Sequence, residues 1–229
     1  MSGIGRALWM VAVLLASVST AAAQANRAPA RPARFMVSAG LLVNGGYDLG
    51  DRAAQLRGNG VSNPAPFTLF HADGAMDRTA GLDGRFAYAL TRAVSLEVGG
   101  SWSKPHVNVT VTQDTESTGT TLVAETVSQY TVDVGGLFWL FSRQGTRLRP
   151  YAIGGGGYLR QLHENQLVVE TGHTIFGGGG VEYAFRAPAR GRRLGVRGEA
   201  RLVHRVGGID FEDKSRSHPS ISVLGFVGF

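Results

Sequence analysis

Residues 194–206, LGVRGEARLVHRV, divide by parity into two kinds of side chain. Leu194, Val196, Ala200 and Leu202 fall on one parity, and Arg197, Glu199 and Arg201 on the other. The closing run 219–229, PSISVLGFVGF, repeats the pattern with Ile221, Val223, Val227 and Phe229 set against Ser222. Successive side chains of a β-strand point to opposite faces, so each stretch reads as a strand with one greasy and one polar or ionic face.

The same period of two recurs from Phe35 onward, broken by turn residues and with no convincing helical stretch. It predicts strands over Phe35–Asn44, Thr79–Leu90, Val94–Val111, Leu122–Phe141, Leu148–Gln161, His173–Phe185, Leu194–Val206 and Pro219–Phe229. The apolar parity carries Phe35, Val37, Leu41 and Val43; Leu82, Phe86, Tyr88 and Leu90; Val94, Leu96, Val98 and Trp102; Tyr130, Val132, Val134, Phe138 and Leu140. It continues with Tyr151, Ile153 and Leu159; Ile175, Val181, Tyr183 and Phe185; and the last two strands. The other parity holds Asp83, Arg85, Glu97, Ser101, Asp133, Arg160, Glu182, Arg197, Glu199, Arg201 and Ser222, among many glycines.

Connections after the second, fourth and sixth strands are short, and those after the first, third, fifth and seventh are long and polar. All short turns therefore lie at one end and all long loops at the other. The longest connection, Tyr47–Arg78, contains an apolar, strand-like piece at Pro66–His71, read as an ordered part of the loop or an extension of the second strand.

Which face meets solvent follows from composition. A water-facing strand set is expected to be rich in Lys and Glu, whereas this one is glycine with a few Arg, Asp and Glu. Only 17% of residues are charged, against about 25% in ordinary soluble domains. At the short-turn end the apolar set ends in Phe35, Tyr88, Phe138, Tyr151, Tyr183, Phe185 and Phe229, an arrangement like the aromatic girdle at a membrane interface, with Trp102 and Tyr130 beginning a second one. The greasy parity is therefore expected to face lipid and the ionic parity the interior. Strands in hydrocarbon must close, because each unpaired edge group costs several kcal/mol.

The alternation, the loop asymmetry and the closing Ile221, Val223, Val227, Phe229 series together resemble the small eight-stranded bacterial outer-membrane β-barrels, the family that includes the outer-membrane protein A and X types. The resemblance covers residues 35–229 and implies an all-β, eight-stranded antiparallel up-and-down transmembrane β-barrel. It implies periplasmic termini, contact with outer-membrane lipid and lipopolysaccharide, and a final strand read by the barrel assembly machinery through Ile221, Val223, Val227 and Phe229. A monomer without a cofactor is expected.

The first residues fit the same picture. Arg6, the apolar Ala7–Val18 and the small residues to Ala23 have the order of a signal peptide, read as residues 1–23. Residues 24–34 follow as a Pro/Arg-rich periplasmic linker. The chain contains no cysteine, which excludes disulfides and thiolate metal sites. Its formal charge is +6 and its pI about 10.2, but the arginines are dispersed and only Lys104 and Lys214 are lysines. Nucleic-acid binding, which needs a concentrated basic stripe, is not expected.

Inside an eight-stranded barrel there is room for side chains and little else. Asp83, Arg85, Glu97, Asp133, Arg160, Glu182, Arg197, Glu199 and Arg201 are expected to form a salt-bridge plug, with a narrow porin-like path for small solutes or ions as the alternative. Gly154–Gly157 and Gly177–Gly180 read as room for large neighbours or relief of curvature, since no Lys-Ser/Thr follows to make a phosphate loop. A lipid-modifying enzyme would need a His beside a Ser and an orienting acid. His173, His204 and His218 with Ser220 are the candidates, and none sits in a recognisable motif. Asp210, Glu212 and Asp213 in the last loop, and Asp114 and Glu116 in the second, match no calcium-loop spacing and read as solvated charge.

Overall fold

The computed structural model describes residues 34–56, 66–112, 121–140, 147–163, 168–185, 192–212 and 214–229. The expected signal peptide, and all of the expected linker but Arg34, lie outside these residues.

Twelve strands are present among the described residues: β1 (Phe35–Asn44), β2 (Tyr47–Leu56), β3 (Phe67–Met76), β4 (Thr79–Ala89), β5 (Val94–Ser103), β6 (His106–Thr112), β7 (Thr121–Thr126), β8 (Ser128–Trp139), β9 (Leu148–Leu162), β10 (Val169–Ala184), β11 (Arg193–Gly207) and β12 (Arg216–Gly228). Eight of them close a barrel in the order β1-β12-β11-β10-β9-β8-β5-β4, with every pair antiparallel. Each barrel strand is hydrogen-bonded to the barrel strands before and after it in the chain, so the topology is the expected meander. Phe229 and Phe35 exchange backbone N–H···O bonds of 2.9 Å in both directions, which closes the seam at the short-turn end.

The remaining strands form a sheet that the alternation did not reveal, in the order β2-β3-β6-β7. Two expected strands are each two. Val94–Val111 divides at Lys104-Pro105 into β5 and β6, and Leu122–Phe141 divides at Val127 into β7 and β8. Pro105 has no N–H for a continuous ladder. Its carbonyl accepts the Val127 amide at 3.0 Å, so both strands change sheet at the same level. The first loop supplies β2 and β3, with Phe67–His71 in β3. Buried Leu49, Met76, Val107 and Val127 form the apolar centre of this sheet, and Ile209 of the last loop joins them. The sheet is thereby fixed to the long-loop end of the barrel.

Around the barrel the greasy parity faces outward: Leu41 is 64% exposed, Ile175 65% and Leu202 62%. Apolar side chains continue on all eight strands, a belt far larger than the few hundred Å² of apolar patch that a soluble monomer shows.

Candidate functional site: the barrel interior

The inward parity of β4, β5 and β11 sets the central cluster. Asp83 and Arg85 follow one another on β4, Glu97 projects from β5, and Arg197, Glu199 and Arg201 from β11; all six are buried. Glu97 accepts from three guanidinium groups, at 3.3 Å from Arg85 Nη1, 3.1 Å from Arg197 Nη2 and 3.2 Å from Arg201 Nη2. Glu199 is hydrogen-bonded by Arg85, Arg197 and Arg201 as well. Arg85 Nε donates to both Asp83 oxygens, at 3.0 and 2.9 Å. Buried charges persist when paired and hydrogen-bonded in this way, and the planar guanidinium can serve two carboxylates at once.

The other expected members lie elsewhere. Asp133 borders the cluster, 3.6 Å from Arg201 Nη1. Glu182 is buried nearer the short-turn end and pairs with Arg193 at 2.9 Å. Arg160 is outside the barrel: β9 presents Leu159 and Gln161 inward, with Tyr158 and Arg160 outward.

The same parity corrects the expectation for Tyr151, which is not part of the aromatic girdle. It is 2% exposed and packs inside with Leu137, Trp139, Ile153 and Phe176, while Leu159 is also buried. The Tyr151 hydroxyl donates to Glu199 Oε2 at 2.6 Å and accepts from Arg197 Nε. Arg197 lies over its ring at 4.7 Å, and Arg201 over the Phe176 ring at 4.3 Å. Phe35, Phe138, Tyr183, Phe185 and Phe229 are exposed at the short-turn end. Tyr88 stands beside Phe35 there, with ring centres 5.2 Å apart. Ile221 and Val223 face outward too, 57% and 60% exposed.

Inward-facing glycines make this packing possible. A Cβ on Gly180 would collide with the Tyr151 side chain and the Gly198 carbonyl, and one on Gly155 would press into the Phe176 ring.

Toward the long-loop end a second layer of side chains crosses the interior. Gln161 Nε2 donates to Gln129 Oε1 at 2.8 Å, and Gln161 Oε1 accepts the Ile209 amide at 2.9 Å. Arg205 bonds the Tyr47 hydroxyl and the Ile209 carbonyl, with its guanidinium 4.7 Å above the Tyr47 ring. Gly207 and Gly208, at φ of 80° and 79°, turn the chain so that Ile209 enters the mouth. Between the layers is a cavity of about 50 Å³, lined in part by Asp133, Thr131, Thr174, Arg201, Arg205 and His218. Sequence alternation put Asp83, Arg85, Glu97, Arg197, Glu199 and Arg201 on one face but wrongly added Arg160, whereas Tyr47, Gln129, Gln161 and Arg205 carried no signal beyond their parity.

The acidic loop residues are engaged by cations of the chain itself. Arg216 donates to Asp210 at 3.2 Å and to Glu212 at 2.8 Å, and Lys214 is 3.1 Å from Glu212. Asp114, Glu116 and Asp213 lie outside the described residues. Of the histidines, His204 Nδ1 is 2.9 Å from Ser217 Oγ on the exposed face of β11 and β12. Among the described residues no carboxylate accepts a hydrogen bond from that ring as the orienting third member of a catalytic arrangement would. His218 is buried and stacks on Tyr47, with ring centres 5.0 Å apart.

Comparison with solved structures returns bacterial outer-membrane barrels. Outer membrane protein OprG from Pseudomonas aeruginosa superposes with a TM-score of 0.52 at 10% identity, over 87% of this chain and 96% of that one. The N-terminal β-barrel domain of OprF from Pseudomonas aeruginosa gives 0.40 at 14% identity, over 86% and 99%. Ail, the attachment invasion locus protein of Yersinia pestis, solved in complex with the heparin analogue sucrose octasulfate, gives 0.43 at 11% identity, over 86% and 99%. At these identities the likeness is one of fold. No protein-family model and no curated protein matches the chain.

Proposed function

We propose that this chain, which has the fold of the small eight-stranded outer-membrane β-barrels, is a non-enzymatic outer-membrane protein whose plugged barrel anchors a surface-exposed sheet for interaction. The observation that carries this reading is the arrangement of Glu97 and Glu199. Each is bonded to Arg85, Arg197 and Arg201, and together they tie β4 and β5 to β11 across the lumen. A path for solute would have to separate charges that are nearly fully buried.

In this reading the long-loop end, with the β2-β3-β6-β7 sheet, faces outward and both termini are periplasmic. Residues 1–23 are a signal peptide and 24–34 a linker. The belt meets outer-membrane lipid and lipopolysaccharide, the barrel works as a monomer, and Ile221, Val223, Val227 and Phe229 on the last strand guide assembly. The test is conductance of the purified protein in a planar bilayer. Silence with heat-modifiable gel mobility is the expected result, and discrete conductance steps would overturn the plug. The alternative, a narrow porin-like channel, draws on the polar cavity between the two layers. It predicts steps that enlarge when Arg205 or Tyr47 is replaced by Ala.

A further inference from the structure

On the outward parity of the eight barrel strands Arg160 is the one formally charged side chain, and every other outward position is apolar, small or uncharged. A guanidinium on the lipid face of a barrel costs about 2–4 kcal/mol at mid-membrane and almost nothing at the interface. β9 has 15 residues, whereas about 9–11 cross the hydrocarbon. Arg160, near the end of β9 at the long-loop side, therefore stands at the interface.

The ladder surrounds it with groups suited to an anion. Trp102 pairs with Tyr130, Tyr130 with Arg160, and Arg160 with Thr171, all on the outer surface. The next rung places Tyr158 beside His173, with ring centres 6.1 Å apart, and Lys104 lies 5.6 Å over the Trp102 ring. Arg160 has no ion pair with a carboxylate among the described residues. Exposed Val132 and Ile175 continue the surface toward the hydrocarbon.

We propose that this patch, centred on Arg160 with Tyr130, Tyr158 and His173, is a docking site for a phosphorylated glycolipid of the outer leaflet. The assignment rests on the reading that the long-loop end faces outward. The guanidinium takes a phosphate through two parallel N–H···O bonds, the phenol and imidazole donors complete the shell, and acyl chains run down over Val132 and Ile175.

The test is native mass spectrometry of the detergent-purified protein with bis-phosphorylated lipid A and with the same lipid dephosphorylated, for wild type and Arg160→Ala. Wild type is expected to prefer the phosphorylated lipid. Arg160→Ala lowers that affinity about fivefold, the equivalent of the roughly 1 kcal/mol that one basic residue contributes at an anionic surface, to the level of the dephosphorylated lipid. Equal binding of phosphorylated lipid by both proteins overturns the site, as does a heat-modifiable wild type that does not discriminate between the lipids; either result leaves the barrel reading intact. Displacement of the lipid by inorganic phosphate alone would reassign the patch to the free ion and overturn the lipid assignment. Unchanged heat-modifiable mobility of Arg160→Ala shows that the variant is folded, since the side chain it removes is exposed.

Discussion

Arg197 Nη2 donates to Glu97 Oε1 over 3.1 Å from the opposite wall of the barrel, β11 and β5 being separated by three strands in either direction. The bond therefore spans the lumen, and Glu199 adds a second carboxylate to the same three arginines. Removing one partner from a buried ionic group leaves the rest uncompensated, at a cost of about 3–5 kcal/mol. Glu97→Ala and Glu199→Ala are each expected to destabilise the refolded barrel by that free energy, seen as a lower urea midpoint read by the heat-modifiable gel shift. Unchanged midpoints would mean that the cluster is hydrated and contributes little.

Tyr151 is the neutral member of this network. It reaches from β9 past β10 to Glu199 on β11, and its hydroxyl both donates and accepts. Tyr151→Phe keeps the ring between Trp139 and Arg197 but leaves Glu199 and Arg197 one bond short each. The expected loss is about 1–3 kcal/mol, smaller than for Glu199→Ala. A loss as large as that for Glu199→Ala would assign the ring, and not its hydroxyl, the main role.

The corrected position of Tyr151 shows where sequence reading of this barrel stops. On β11 and β4 charged and apolar residues alternate cleanly, so Arg197, Glu199, Arg201, Asp83 and Arg85 are legible as one face. On β9 both parities carry aromatic or aliphatic residues, and the four glycines Gly154–Gly157 separate Tyr151 and Ile153 from Tyr158 without indicating either face. The register with β8 decides, since Trp139 lies opposite Tyr151 and Val132 opposite Tyr158. Trp139 falls between outward Phe138 and Leu140, which is the clue available in sequence. The second sheet was hidden for another reason. β2 and β7 are edge strands of mixed polarity, stabilised by pairing and by the Leu49–Met76–Val107 centre more than by an alternating face.

The glycines of β10 give a paired test of that geometry. Gly180 points inward beneath the Tyr151 ring, and the Gly198 carbonyl beside it is backbone and cannot step aside, whereas an added Cβ at Gly177 meets nothing within 4 Å. Gly180→Val is expected to cost at least the roughly 1–3 kcal/mol of an overpacked core, while Gly177→Ala leaves the urea midpoint near that of wild type. Equal effects at both positions would contradict the inward and outward assignment along β10.

The last loop is expected to loosen in acid. Burial alone would raise the Asp210 carboxyl, but hydrogen bonds from Arg216 and from the Glu212 amide outweigh it and hold the carboxyl below the ordinary carboxylate range. A group whose folded pKa is depressed stabilises the fold fully above its unfolded value, about 3.9 for Asp, and loses that contribution as pH falls through the folded value. The clasp between Asp210 and Arg216 should thus be intact at neutral pH and be lost only as pH falls through that depressed folded value, below the ordinary carboxylate range. Because Ile209 caps the mouth immediately before Asp210, its release should expose the Gln161–Ile209 bond to solvent. Amide exchange of Ile209 is the readout. It should stay slow in wild type at pH 6, quicken beyond the intrinsic pH dependence only in acid below the ordinary carboxylate range, and be fast at pH 6 in Asp210→Asn, which keeps the shape of the side chain and removes the charge. Slow exchange in Asp210→Asn at pH 6 would show that the apolar seat of Ile209 among Leu49, Met76 and Val127, with the Arg205 bond to its carbonyl, holds the loop without the clasp.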